Sequence, residues 1–175
     1  MYYFNKLILT LIFQSMTLFN FTADSDISNW KILDDVVMGG RSDGNFKMNT
    51  EGHGEYTGRV SLKNNGGFSS LRYNFETKTT ATYSKFILRL KGDGKSYQFR
   101  VKDKRYNRYS FIYTFKTTDD WQTIEIPFKD MSAAFRGYKV DIPNFEGNEM
   151  EEIAFLIGNK KEESFKLLID SISLD

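Results

Sequence analysis

The chain has 175 residues, 40% of them hydrophobic and 16% aromatic, with a formal net charge of +1; this suits one core-bearing domain and gives no global field of the kind that draws nucleic acid. There is no cysteine, which excludes disulfides, thiolate nucleophiles and cysteine-zinc sites and leaves the compartment open. Two prolines against ten tyrosines and sixteen phenylalanines, with recurrent strand-length apolar runs, favour an all-β chain.

Residues 1–17 admit two readings. Leu7–Phe13 follows Lys6 as a short apolar run, the size of a signal-peptide core and too short for a comfortable membrane span, although no A-x-A-like cleavage site follows. Alternatively Met16 is the start, residues 1–15 are an upstream extension, and Leu18–Phe21 opens the first strand. Localisation accordingly stands between export and the cytoplasm. The domain itself is expected over 18–175, with no transmembrane span.

From Ile27 onward short strands alternate with turns. Strands are expected at Ser28–Leu33, Gly44–Asn49, Glu55–Lys63, Phe68–Phe75 and Ser84–Gly92. Others follow at Ser96–Asp103, Tyr109–Lys116, Trp121–Phe128, Ile153–Gly158 and Ser164–Ser173. Phe86, Leu88 and Leu90 alternate with Arg89 and Lys91, and Tyr97, Phe99 and Val101 with Arg100 and Lys102, the period of a half-buried strand. The last strand is apolar on parts of both faces and is expected to be central. Asn65-Gly66 and Gly92-Asp93-Gly94 read as hairpin turns, and Asp130–Phe135 as a short helical turn. About ten strands with regular turns predict a single β-sandwich of jelly-roll type.

Two polar, glycine-bearing blocks stand out: Asp34-Asp35-Val36-Val37-Met38-Gly39-Gly40-Arg41-Ser42 and Gly58–Arg72. With a turn at Asn65-Gly66, the hairpin register sets Val60 against Leu71 and Leu62 against Ser69 on the core face. The other face then pairs Ser61 with Ser70 and Arg59 with Arg72. Two opposed arginines repel by a few tenths to about 1 kcal/mol unless an anion lies between them. Asp34 or Asp35 is the nearest internal candidate, so the two blocks are expected to meet; a ligand or a partner's carboxylate is the other candidate. Gly39, Gly40, Gly66 and Gly67 are expected to supply positive φ or close backbone approach. Met38 is either an exposed soft contact or a core methionine before a turn.

The remaining chemistry is thin. His53, the only histidine, lies between glycines in a turn, so a Ser-His-Asp arrangement has little to rest on. Asp34/Asp35, Asp119/Asp120 and Glu151/Glu152 are neighbours that a strand would point to opposite faces, not dyads. Asp24 and Asp26 with Asp170 or Asp175 have no specific calcium spacing. Trp30 and Trp121 read as core, while Tyr106 and Tyr109 among Arg105 and Arg108 read as exposed contacts for sugar or, more weakly, nucleic acid. The basic 85–108 stretch and the acidic C-terminal third read as oppositely charged solvated faces and edges. No catalytic residue, cofactor or metal is assigned.

The first block extended to Gly44-x-Phe46, and Gly58-x-Val60-Ser61-Leu62-x-Asn64-Asn65-Gly66-Gly67-Phe68-Ser69-Ser70-x-Arg72, resemble motifs of the complex I intermediate-associated protein 30 family. Lys91–Gly94, Trp121 with Ile126-Pro127-Phe128, Phe135-Arg136-Gly137 and Ile169–Ile172 fit the same resemblance, which spans roughly 18–175. It implies a galactose-binding-like β-sandwich related in shape to carbohydrate-binding modules. Mitochondrial members are assembly factors for respiratory complex I, and others adjoin a dehydrogenase-type domain. With no such domain and no Arg-rich leader, the chain reads as a stand-alone bacterial member.

The expected function is therefore a non-enzymatic binding or assembly-factor-like module for a protein partner such as a respiratory-complex subunit. Its binding patch is expected at Asp34, Asp35, Met38, Gly39, Gly40, Arg41, Ser42, Arg59, Asn64, Asn65, Gly66, Gly67, Ser70 and Arg72. The alternative is a carbohydrate-binding protein that uses the concave face of the sandwich.

Overall fold

The computed structural model describes residues 15–175; the Leu7–Phe13 run, and with it the choice between an export signal and initiation at Met16, lies outside them. The described chain is all-β. Its strands are β1 (Met16–Asn20), β2 (Trp30–Asp34), β3 (Asp43–Met48), β4 (Gly54–Val60), β5 (Ser69–Thr79), β6 (Lys85–Lys91) and β7 (Ser96–Lys102). They continue with β8 (Ser110–Lys116), β9 (Gln122–Pro127), β10 (Ser132–Phe135), β11 (Tyr138–Lys139), β12 (Glu149–Ile157) and β13 (Glu163–Leu174).

Two antiparallel sheets face each other. The first runs β3-β4-β13-β6-β9, with β1 also on β13; the second runs β11-β10-β8-β7-β12-β5-β2. The twelve-residue β13 takes β4 along Glu163–Ile169 and β1 along Ser171–Leu174, with β6 on its other edge. Its apolar content on both faces fits that central place. The core lies between the sheets and is filled by the inward sets of the alternating strands: Phe86, Leu88 and Leu90 from β6, Tyr97, Phe99 and Val101 from β7, and Leu167, Ile169 and Ile172 from β13. No helix of the described residues is long and apolar enough to cross a membrane.

Every predicted strand is found, but both predicted hairpins are corrected. Residues 61–68 join β4 of the first sheet to β5 of the second, and residues 92–95 join β6 to β7 across the same divide. At the first crossover the consecutive left-handed residues are Asn64 and Asn65, while Gly66 takes φ −69°, so the left-handed pair needed for a two-residue hairpin falls one residue early. Arg59 and Arg72 therefore sit in different sheets and do not oppose each other. The expected helical turn at Asp130–Phe135 is corrected too: a 3-10 turn occupies Phe128–Asp130, and β10 and β11 then form a hairpin about Arg136 and Gly137, both with positive φ.

Trp30 is core, stacked on Tyr73 at 4.7 Å. Trp121 is not; it is half-buried, with His53 at 4.5 Å and the Arg89 guanidinium over its ring at 5.6 Å. Asp170 closes this group, 3.2 Å from His53 Nδ1 and 3.7 Å from Arg89 Nε. Asp26 accepts from Ser28 N–H in a local turn and Asp175 pairs with Lys85, so the carboxylates considered for calcium are dispersed.

Asp93 shows how a crossover is held. Its carboxylate accepts from the Lys166 backbone N–H of β13 at 2.9 Å, from Tyr97 Oη at 3.2 Å and from Lys95 Nζ at 2.7 Å, tying the 92–95 link to both sheets. Asp93→Ala is expected to cost about 1–3 kcal/mol and to accelerate amide exchange at Lys166 more than at residues elsewhere on β13, read by native-state hydrogen exchange.

Candidate functional site

The two glycine-bearing blocks do meet, and the meeting point is one carboxylate. Residues 35–42 carry the chain from β2 in the second sheet to β3 in the first, beginning with a 3-10 turn over Asp35–Met38; residues 61–68 carry it back from β4 to β5. The crossovers lie side by side because β2 pairs with β5 and β3 with β4. Between them Asp35 is fully buried. Its Oδ1 accepts from Ser42 N–H at 2.9 Å; its Oδ2 accepts from Ser42 Oγ at 2.5 Å, Gly67 N–H at 2.6 Å and Phe68 N–H at 3.1 Å. Ser42 Oγ in turn accepts from Ser61 N–H at 3.0 Å. Burial works to raise the Asp35 pKa, but the hydrogen bonds from Ser42, Gly67 and Phe68 outweigh it and hold the group below its usual range.

This cage dictates the glycines. A Cβ on Gly40 would lie 2.1 Å from Asp35 Oδ1, and one on Gly66 would lie 2.7 Å from Oδ2. Gly39 and Gly67 adopt φ of +89° and +143°, where L side chains are strained. Asn64 Nδ2 donates to Gly39 C=O at 3.1 Å, a second stitch between the crossovers.

Asp34 forms a parallel inner network. Tyr56 Oη donates to Ser69 Oγ at 2.8 Å, Ser69 Oγ donates to Asp34 Oδ1 at 2.5 Å, and Gly44 N–H donates to Oδ2 at 2.8 Å. Burial, which outweighs the Ser69 hydrogen bond, pushes the Tyr56 hydroxyl far above its usual pKa and keeps it a donor.

What this framework shows to solvent is apolar. Val36, Met38 and Leu62 are 59%, 58% and 43% exposed, with Arg41, Lys63, Asn64 and Asn65 exposed around them. The hairpin register that sets Leu62 against Ser69 on the core face is not adopted; β4 ends at Val60, and the crossover leaves Leu62 exposed. Val36 and Leu62 were absent from the predicted patch, although an apolar residue inside a glycine- and asparagine-rich block was the available signal.

Not every predicted patch residue belongs here. Arg59 points from the first sheet toward Glu162 at 3.4 Å, and Arg72 lies on the second sheet with Glu152 at 3.9 Å; neither touches Asp34 or Asp35. Ser70 is buried on β5. Tyr106 is exposed as expected, but Tyr109 is half-buried, edge-on to Phe111 at 5.5 Å. Two surface clefts of about 360 and 760 Å³ lie along residues 142–149, and neither is lined by a residue of the junction.

Residues 19–169 match the family described as Complex I intermediate-associated protein 30. The chain belongs to that family. A relative in Mus musculus, the mitochondrial Complex I intermediate-associated protein 30, is 23% identical over 92% of this chain, which spans 56% of that relative's length. Among solved structures, the family 11 carbohydrate-binding module of the cellulosomal cellulase Lic26A-Cel5E of Clostridium thermocellum superposes with a TM-score of 0.68 at 19% identity, covering 92% of this chain and 94% of that one. A family 29 carbohydrate-binding module gives 0.55 at 11% identity over 93% and 91% of the two chains. These neighbours establish the galactose-binding-like sandwich. The matched span contains both glycine-bearing blocks, which form the two crossovers that the Asp35 cage joins.

Asp35→Asn is expected to destabilise the domain at pH 7 by about 3 kcal/mol, a fall of roughly 6–12 °C in melting temperature. The folded pKa lies below the unfolded value of about 3.9, so this contribution is complete above that pH and is lost as pH falls through the folded pKa. Denaturation measured from pH 7 to pH 3 should show the gap between wild type and Asp35→Asn closing only below about pH 4.

Proposed function

We propose that the chain is a non-catalytic, assembly-factor-like module that docks a protein partner on the junction of residues 35–42 and 61–67. The observation behind this reading is an exposed apolar group, Val36, Met38 and Leu62, on backbone already fixed by a buried carboxylate. A surface ordered before binding loses little entropy on association, and an apolar centre with a polar rim is the anatomy of a protein interface. Arg41, Lys63, Asn64 and Asn65 supply that rim. A respiratory-complex subunit or assembly intermediate is the partner class that membership of the family favours.

Carbohydrate binding is the second reading, favoured by the fold of the neighbours and by Tyr106, which is 81% exposed between Arg105 and Asn107. It is weakened by the outer face of the second sheet. There β5, β12 and β7 alternate Arg72, Ala154 and Arg100 with Ser70, Leu156 and Gln98. These side chains offer no aromatic platform on which a neutral sugar could stack.

The test places a photo-crosslinking residue at Met38, at Leu62 and, as a control, at Lys129 in the tagged chain expressed in its source cells. The expected result is one shared adduct at Met38 and Leu62 that contains a respiratory-complex subunit and is absent at Lys129. Val36→Asp with Leu62→Asp should weaken that partner's binding at least tenfold, about 1.4 kcal/mol, while melting within a few degrees of wild type. Equal labelling at all three positions, or a binding constant untouched by the double substitution, would count against the junction. Glycan affinity lost in Tyr106→Ala would transfer the assignment to the second reading.

A further inference from the structure

The outer face of the second sheet holds charges that the fold itself leaves poorly matched. The register aligns Lys31, Arg72, Ala154, Arg100 and Ile112 in one row across β2, β5, β12, β7 and β8. Residues directly opposite in adjacent strands lie on the same face, and strands are about 4.8 Å apart. Arg72 and Arg100 therefore lie on either side of Ala154, the small buried residue between them, and Lys31 flanks Arg72. Three cations in one row carry no carboxylate among them.

Each guanidinium has five N–H donors in a planar fork. Arg100 spends two bonds on a neutral acceptor, with Nε at 3.0 Å and Nη2 at 2.7 Å from Gln98 Oε1. Arg72 donates no hydrogen bond to any described residue, and its Nε is buried without a partner. The nearest carboxylate, Glu152 in the adjoining row, stands 3.9 Å from Arg72 Nη1, beyond hydrogen-bonding distance. Lys102 is turned away, donating to the Arg105 carbonyl at 3.3 Å and to the Asn107 carbonyl. Desolvation, and then the proximity of Arg72, bring the Arg100 guanidinium down to about 10, with Glu152 opposing; it remains charged at neutral pH and makes no direct ion pair with a described residue. Elsewhere the basic stretch is neutralised, as with Lys85 on Glu125 and Lys104 on Glu149 and Glu151.

We propose that Arg72 and Arg100 form an oxyanion site over Ala154, with Lys31 as flanking cation, that takes the carboxylate or phosphate group of a ligand lying on this sheet face. A planar fork on each side matches either group. The site lies on a different face from the 35–42/61–67 junction and stands or falls independently of it.

The test follows the Arg72 and Arg100 side-chain Nε–Hε resonances of ¹⁵N-labelled protein during titration with inorganic phosphate and, separately, with trigalacturonate. Sodium chloride holds the ionic strength constant, so that screening alone moves nothing. Saturating shifts of both resonances at concentrations on the order of 10 mM or below are expected; the probe that saturates first identifies phosphate or uronate as the source. Arg100→Gln should weaken binding at least tenfold. Ala154→Glu, which brings its own carboxylate between the guanidiniums, should abolish binding and raise the melting temperature, and it decides the matter if Arg100→Gln does not fold. Absence of saturable shifts with both probes, or undiminished shifts in a folded Ala154→Glu protein, overturns the proposal.

Discussion

One carboxylate that never meets water sets the geometry of the end of the sandwich where β2, β3, β4 and β5 exchange sheets. An ionised group in that position is tolerable only when its lone pairs are filled, and Asp35 has them filled by two backbone amides of one crossover and by the amide and hydroxyl of Ser42 in the other. The donors cannot be supplied unless Gly40 and Gly66 let the backbone close around the oxygens. The same bonds occupy the Gly67 and Phe68 amides, so they are unavailable for the ladder that a hairpin at Asn65-Gly66 would need. A single side chain thus decides that residues 61–68 change sheets, and it explains why the block looks polar and glycine-rich without being a pocket.

That arrangement has a consequence for the exposed residues. Loops normally carry their apolar side chains at an entropic disadvantage, because binding must first order them. Here the ordering is done within the fold: Asp35, the Asn64–Gly39 bond and the Tyr56–Ser69–Asp34 chain hold both crossovers from beneath. Val36, Met38 and Leu62 are left with nowhere internal to go. Polar residues in the motif build the frame, and the apolar ones between them form the face.

Most of the fold was legible because alternation is a local property. Phe86, Leu88 and Leu90 against Arg89 and Lys91 identify a strand whatever its neighbours, and β13 announced its central position through apolar residues on both faces. Connectivity between sheets is a long-range property that turn chemistry reports poorly. Asn65-Gly66 and Gly92–Gly94 have hairpin composition, yet Asp35 and Asp93, each bonded to backbone amides far along the chain, convert both into crossovers. The site was legible in part for the same reason. Asp34, Asp35, Ser42, Asn64 and the glycines come together, whereas Arg59 and Arg72 were joined to them only through a register the chain does not adopt. Trp121 misled because its strand context is apolar, while its ring lies outside the core against His53 and Arg89.

The resemblance in shape to carbohydrate-binding modules says little about which surface is used, since one sandwich can support unrelated functions on its faces and its loops. The two surfaces here differ in chemistry. The crossover junction offers apolar side chains on fixed backbone, rimmed by Arg41, Lys63, Asn64 and Asn65, which suits a protein. The second sheet's outer face offers guanidinium groups with unfilled donors and no stacking ring, which suits an anionic group and not a neutral sugar. Unfilled donors on a desolvated arginine cost stability, and Arg89, Lys95 and Lys104 elsewhere show that carboxylates are readily placed beside cations in this chain. The weak counter-charge beside Arg72 and Arg100, Glu152 at 3.9 Å from Arg72 without a hydrogen bond, is therefore a feature of that face in particular, and its chemistry differs from that of an aromatic sugar platform.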